Sequence, residues 1–182
     1  MLVKENITIN GLTFTPFISA ETIRIAVMNI ARQIQCVYAP EDEILILIVL
    51  KGSFIFAADL IRHLHLRCKI EMIRASSYGD GMQSSGEVHL TIPPLDIKGK
   101  HILIIEDIID SGRTLVALHN RLLQKQPASI HIAALLSKPI EHQYDLSKAF
   151  VGFEIPSLFV IGYGLDYQEL GRELPDIYQL KI

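Results

Sequence analysis

Apolar and polar positions along the chain fall into blocks of different period. In residues 19–35, Ile23, Ala26, Val27, Ile30 and Ile34 recur at helical spacing and form one stripe. Ser19 suits the N-cap of that helix, Glu21 suits its positive end, and Pro40 closes the segment. Residues 44–50, Ile-Leu-Ile-Leu-Ile-Val-Leu, are apolar throughout, short and rich in β-branching. That pattern predicts a strand buried on both faces, as in a parallel sheet. A helix is expected over 53–63, carrying Phe54, Ala57, Ala58 and Ile61. Residues 69–75 alternate weakly and predict a second strand. Residues 76–86 are polar and glycine-rich and predict an exposed mobile loop. Extended structure resumes over 87–92 and ends at Pro93-Pro94. A buried strand over 101–105 leads to a helix over 114–124, with Leu115, Leu118, Leu122 and Leu123 inward. Another strand follows over 130–136. Beyond Pro139 only short extended pieces are expected, at 150–155 and 158–163.

Strands alternating with helices predict an α/β fold, a mostly parallel twisted sheet flanked by helices. Ligands in such sheets bind beyond the carboxyl ends of the strands. The turns after Leu50, Ile105 and Leu136 are therefore where chemistry is sought.

Composition narrows the class. The 182 residues suit one hydrophobic core, with a single domain spanning the chain. Hydrophobic residues at 49% and charged residues at 20% argue against a mainly disordered chain. The net charge, 17 − 20 = −3, disfavours a general nucleic-acid binder. Cys36 and Cys68 are too few for a disulfide scaffold and read as small core residues in a reducing compartment. No apolar run approaches the ~20 residues of a membrane span. The N-terminus lacks the apolar region of a signal peptide, so a soluble, cytoplasmic protein without membrane contact is expected. The seven histidines show no strong metal-ligand spacing.

The densest chemical signal is Glu106-Asp-Ile-Ile-Asp-Ser-Gly-Arg-Thr114, after the 101–105 strand. Two adjacent carboxylates at a strand end can accept hydrogen bonds from vicinal hydroxyls or face a metal ion. The turn from Asp110 to Thr114 enters a helix, so its N–H groups and the helix dipole form a phosphate cradle. Ser111 and Thr114 can donate hydroxyl hydrogen bonds, and Gly112 lets the backbone approach. A sugar phosphate matches both halves of this segment. An isolated acidic strand end before a helix cap would carry no such meaning; the whole string does.

That string resembles the phosphoribosyl diphosphate (PRPP) motif of type I phosphoribosyltransferases, and residues 44–172 resemble the hypoxanthine-guanine branch. The resemblance implies that fold, with a core over about 40–140 and a small hood from about 1–18 and 150–182. It implies that Glu106 and Asp107 bind the ribose hydroxyls. Asp110, Ser111, Gly112, Arg113 and Thr114 would hold the 5-phosphate, and Asp110 would act as general acid/base at the purine N7. Lys51-Gly52 looks like the pyrophosphate loop, and Ser77-Tyr78 opens what looks like a lid. Lys138 matches the lysine that donates to purine O6, which favours a 6-oxo over a 6-amino base. Phe159 would stack on the base and Val160 would read its edge from the backbone. Asp166, with Glu106 and Asp107, would help hold Mg²⁺, and Arg172 would reach pyrophosphate.

The implied reaction converts PRPP and a 6-oxopurine to a nucleoside monophosphate and pyrophosphate, in a homodimer or homotetramer. Two positions depart from the family pattern: Leu158 stands where mammalian-type members have lysine, and Gly171 where a bulky residue is commoner. Three other readings stay open: a transferase for another base, a regulator that senses PRPP and binds nucleic acid, and a phosphoacceptor receiver domain.

Overall fold

The computed structural model describes residues 5–77, 88–141 and 149–181. Strands β1 (Ile7–Ile9), β2 (Leu12–Ile18), β3 (Glu43–Leu50), β4 (Arg67–Ser77), β5 (Val88–Thr91), β6 (His101–Ile109), β7 (Ser129–Ser137), β8 (Phe150–Glu154), β9 (Val160–Ile161) and β10 (Ile177–Leu180) form two sheets. The helices are α1 (Ala20–Gln35), α2 (Phe54–His63) and α3 (Arg113–Leu123), with a 3₁₀ turn at Pro139–Glu141.

The larger sheet has the order β5-β4-β3-β6-β7-β8, parallel except for the β4–β5 pair. Its centre is β3, whose residues alternate between two apolar layers. Ile44, Ile46 and Ile48 pack with α1 and α2, through Ile23, Val27, Ile30, Phe56 and Leu60. Leu45, Leu47 and Val49 face the other way and pack with Leu115, Leu118 and Leu122 of α3. Each such side chain removed from water contributes about 1.5–3 kcal/mol, which is why an unbroken apolar run settles as a central strand. Ser19 caps α1 as expected, its hydroxyl accepting from the Thr22 N–H at 3.2 Å.

The smaller sheet, β1-β2-β10-β9, joins the two ends of the chain. Its first hairpin turns at Asn10-Gly11, both with positive φ (47° and 80°), the conformation a two-residue primed turn requires. The Ala20 N–H donates to the Asp176 carboxylate at 2.6 Å, and the Tyr163 hydroxyl donates to Asp59 at 2.7 Å. These bonds tie the hood sheet to α1 and α2.

Several expectations shift. β8, assigned above to the hood, pairs parallel with β7 as the edge of the larger sheet, because its register continues that ladder. Ser76 and Ser77 belong to β4, paired with His89 and Val88, rather than to the loop. Tyr78 and most of the expected lid lie outside the described residues. On α2 the buried face is Phe56, Ala57 and Leu60, while Phe54 and Ala58 are exposed. The Ser53 hydroxyl is tied to the Val49 carbonyl, and packing against β3 and α1 sets the buried face of the helix. Leu123 is exposed, and Cys36 lies exposed at the end of α1 rather than in the core. Among the described residues no helix is long and apolar enough to cross a membrane.

Candidate active site

Chain order creates the site. From β3 the chain crosses through α2 to β4 on one side, while β6, leading into α3, lies on the other side of β3. Such a switch point leaves a crevice at the carboxyl ends of the strands. Pairing between β3 and β6 stops at Ile48↔Ile105, and the two chains part there. The resulting cavity, about 270 Å³, is lined by Lys51, Gly52, Glu106, Asp107 and the whole Asp110-to-Thr114 turn, among others.

β6 continues to Ile109, so Glu106 and Asp107 sit within the strand rather than after its end. Burial and the neighbouring Asp107 carboxylate push Glu106 well above the usual carboxylate range. Burial also raises Asp107, partly offset by its hydrogen bonds, one of them from the Ile108 N–H at 2.9 Å, and by the Arg172 charge. A half-buried carboxylate pair of this kind is set up for a cation or for hydroxyl donors.

The cradle follows. Gly112 takes φ 79°, a left-handed step that starts α3 at Arg113, one residue earlier than expected. The first N–H groups of a helix have no partner within it, and here that end lines the cavity. On the opposite wall the Leu50–Lys51 peptide is cis. A Cβ on Gly52 would overlap the Asp107 carboxylate, and one on Gly164 would overlap the Gly52 carbonyl. Two glycines thus let carboxylate, loop and hood close on one another.

Lys138 Nζ lies 3.4 Å from Asp110 Oδ2, its side chain only 13% exposed against 60% for Asp110. The Lys138 N–H donates to the Ile109 carbonyl at 2.9 Å, which fixes its backbone beside β6. Phe159 is 37% exposed and sits in an aromatic cluster with Tyr167 (5.8 Å, edge-on) and Phe14 (6.3 Å). Val160 is buried in β9. Arg172 donates to the Gly164 carbonyl and pairs with Asp166, both at 2.8 Å, so Gly171 does not leave the guanidinium loose. Gly171 has φ 94° and packs against Ile9 and Ile161, where a bulky residue has no room.

The structure therefore gathers the Lys51-Gly52, Glu106-Asp107 and Asp110–Thr114 groups in one cavity, with Lys138 at its Asp110 edge. It does not gather the expected metal set: among the described residues no three His, Cys, Asp or Glu side chains converge. Asp166 faces Arg172 instead, because the guanidinium is its nearest countercharge. One residue escaped the sequence reading. Glu169 bridges Lys51 at 2.9 Å and Arg172 at 3.3 Å, joining two cations expected at the same ligand. Its place between Asp166 and Arg172 was the only available signal.

The phosphoribosyl transferase domain family matches residues 19–168. The chain belongs to the phosphoribosyltransferase family. A hypoxanthine-guanine phosphoribosyltransferase of Aquifex aeolicus is 38% identical over 174 residues, 95% of this chain and 98% of that protein. Another, of Bacillus subtilis, is 49% identical over 135 residues, 73% of this chain and 74% of that protein. A crystal structure of a hypoxanthine-guanine phosphoribosyltransferase from Bacillus anthracis superposes with a TM-score of 0.84 at 41% identity, covering 91% of this chain and 98% of that one. The phosphoribosyltransferase match contains the whole cavity lining but stops before Arg172 and β10.

Proposed function

We propose that this chain is a purine-salvage enzyme. It transfers the phosphoribosyl group of PRPP to a 6-oxopurine, hypoxanthine or guanine, giving IMP or GMP and pyrophosphate. One observation carries the reading: a single cavity joins a half-buried carboxylate pair to a helix-start phosphate cradle, with Lys138 3.4 Å from the Asp110 carboxylate at its edge. The relatives' names support it.

In this reading the Asp110–Thr114 turn holds the 5-phosphate, and Glu106 and Asp107 accept from the ribose hydroxyls. The bond from ribose C1 to the diphosphate lengthens before the purine nitrogen attacks. Positive charge then develops on the ribose, where the carboxylate pair favours it, and negative charge on the leaving diphosphate, where Lys51, Arg172 and the Lys51-Gly52 backbone receive it. The transfer is metal-dependent, with Mg²⁺ as the ion. The raised carboxylate pair fits such a cation, and Glu106, Asp107 and Asp166 would hold it, largely through substrate oxygens. When bound it neutralises charge on the diphosphate.

Lys138 donates to O6 of the base, Phe159 stacks on its face and Val160 meets its edge through the backbone. Asp110 manages the purine proton, with the Lys138 ammonium 3.4 Å from its carboxylate. Ser77, at the end of β4, leads to the segment proposed as the lid that keeps water from the cationic ribose. The enzyme works in the cytoplasm as a homodimer or homotetramer.

Incubation with PRPP and Mg²⁺ and each of hypoxanthine, guanine, xanthine and adenine tests the reading. Conversion of hypoxanthine or guanine but not adenine is expected. Turnover of adenine, or of no base, overturns it.

A further inference from the structure

Glu169 has features that a chance surface contact does not require. The same oxygen, Oε2, faces Lys51 Nζ at 2.9 Å and Arg172 Nη2 at 3.3 Å. Those cations come from separate elements, the turn after β3 and the hood segment before β10. Arg172 does not need this partner, since it already holds the Gly164 carbonyl and Asp166 at 2.8 Å each. Nor does burial force the pairing: the Glu169 side chain is 65% exposed. It sits at the tip of a two-residue hairpin closed by reciprocal Tyr167 and Leu170 backbone bonds at 2.9 and 3.1 Å. Gln168 and Glu169 are consecutive non-glycine residues with positive φ, 51° and 67°. The Glu169 N–H also donates to Asp166 Oδ2 at 2.8 Å, which fixes the tip beside Asp166.

One oxygen between two cations is the arrangement that a phosphoryl oxygen would adopt. We infer that Glu169 is an internal counter-ion: it holds Lys51 and Arg172 in the absence of diphosphate, yields them when diphosphate binds, and reclaims them as it leaves. This deepens the proposed function and rests on its assignment of those two cations to the leaving group. A bound diphosphate carries more charge than one carboxylate and wins the competition, but at reduced affinity. Glu169 thereby keeps the product from binding too tightly and promotes its departure. It is a positioning residue, acting on substrate through Lys51 and Arg172.

The test is calorimetric binding of Mg²⁺-pyrophosphate to the wild-type protein and to Glu169→Gln and Glu169→Ala. Exposed ion pairs are weak, so loss of the competitor tightens binding by about 2- to 10-fold. Pyrophosphate dissociation slows by a similar factor. In steady state KM for PRPP falls, kcat falls with it or stays level, and kcat/KM does not decrease. A Glu169 that merely braced its neighbours would give the opposite result, weaker binding, because Lys51 and Arg172 would lose their orientation. Unchanged or weaker binding in both folded variants overturns the inference.

Carbon-13 NMR of the Glu169 carboxyl in the unaltered protein reads the same exchange without a substitution. Titration with Mg²⁺-pyrophosphate moves the signal to that of an unpaired glutamate, and a stationary signal in a protein that binds pyrophosphate overturns the inference. Wild-type protein that binds neither pyrophosphate nor PRPP refutes the site assignment itself, and this inference with it. Wild-type binding with no change at Glu169 refutes the counter-ion alone.

Discussion

The two ends of the large sheet both carry polar side chains but treat them differently. At the amino ends of β6 and β7, Tyr38, His101, Ser129 and His131 satisfy one another. The Tyr38 hydroxyl meets His131 Nδ1 at 2.9 Å, and His101 Nδ1 meets the Ser129 hydroxyl at 2.9 Å. The Tyr38 ring packs edge-on against both imidazoles. At the carboxyl ends, Glu106 and Asp107 stand half-buried side by side, and Arg172 and Lys51 are paired with Asp166 and Glu169 instead. A matched polar cluster stabilises the fold; a mismatched one stores a demand that a ligand meets. Substitutions at the first end should therefore lower stability without changing activity, and those at the second lower activity without lowering stability.

The largest expected effect is at the carboxyl end. Asp110→Asn keeps the shape of the turn and removes the proton acceptor, and kcat for a 6-oxopurine falls by about 10²–10⁴-fold. PRPP binding and thermal stability stay near wild type. Unchanged turnover removes Asp110 as the base. Next is Glu106→Gln, which weakens Mg²⁺-PRPP binding at least about tenfold by removing a charge-assisted acceptor, measured by calorimetry. The same variant is more stable than wild type without ligand. Because the folded-state pKa of Glu106 is raised, the native protein holds a proton that the unfolded chain releases. Unliganded wild type therefore loses stability as pH rises through the interval between the unfolded and folded values, and Glu106→Gln flattens that slope. Each kcal/mol recovered raises Tm by about 2–4 °C in a chain of this size. A variant less stable than wild type at neutral pH would mean that the carboxylate pair is structurally matched after all, and the contrast between the ends would fail.

The contrast also explains what could be read without coordinates. The buried run at 44–50 was legible because its period leaves one physical solution, and β3 fills it. The Glu106–Thr114 string was legible because its residues are consecutive along the strand end and turn that line the cavity. Less legible was whatever depends on pairing distant in sequence. The continuation of β6 through Glu106 to Ile109 is supported by its partner β7, and β8 joins the main sheet through that same partner. The buried face of α2 is set by packing against β3 and α1, through Phe56, Ala57 and Leu60. Glu169 sits 118 residues from Lys51, and no local pattern links them. The Asn10-Gly11 hairpin is different again: its local turn signal stood in the sequence and was passed over, while its pairing with β10 depends on the far end of the chain.

The smallest effects belong to the amino end. Tyr38→Phe deletes the hydroxyl facing His131 and lowers stability by about 0.5–1.5 kcal/mol, while kcat and KM for PRPP stay at wild-type values. Burial pushes the Tyr38 phenol up to about 12, so it stays a neutral donor throughout the usual pH range. His131 is shifted the other way: burial, and then the neighbouring His101, lower its pKa. The fold thus favours the neutral imidazole. That contribution is present above the ordinary histidine value of about 6.5 and is lost as pH falls through the lower folded value. Thermal unfolding at pH 5 and pH 7.5 measures it, and His131→Gln narrows the gap between the two. If the variant instead slows turnover at pH 7.5, the amino end is coupled to the cavity through β7, and the division between a stabilising end and a reacting end does not hold.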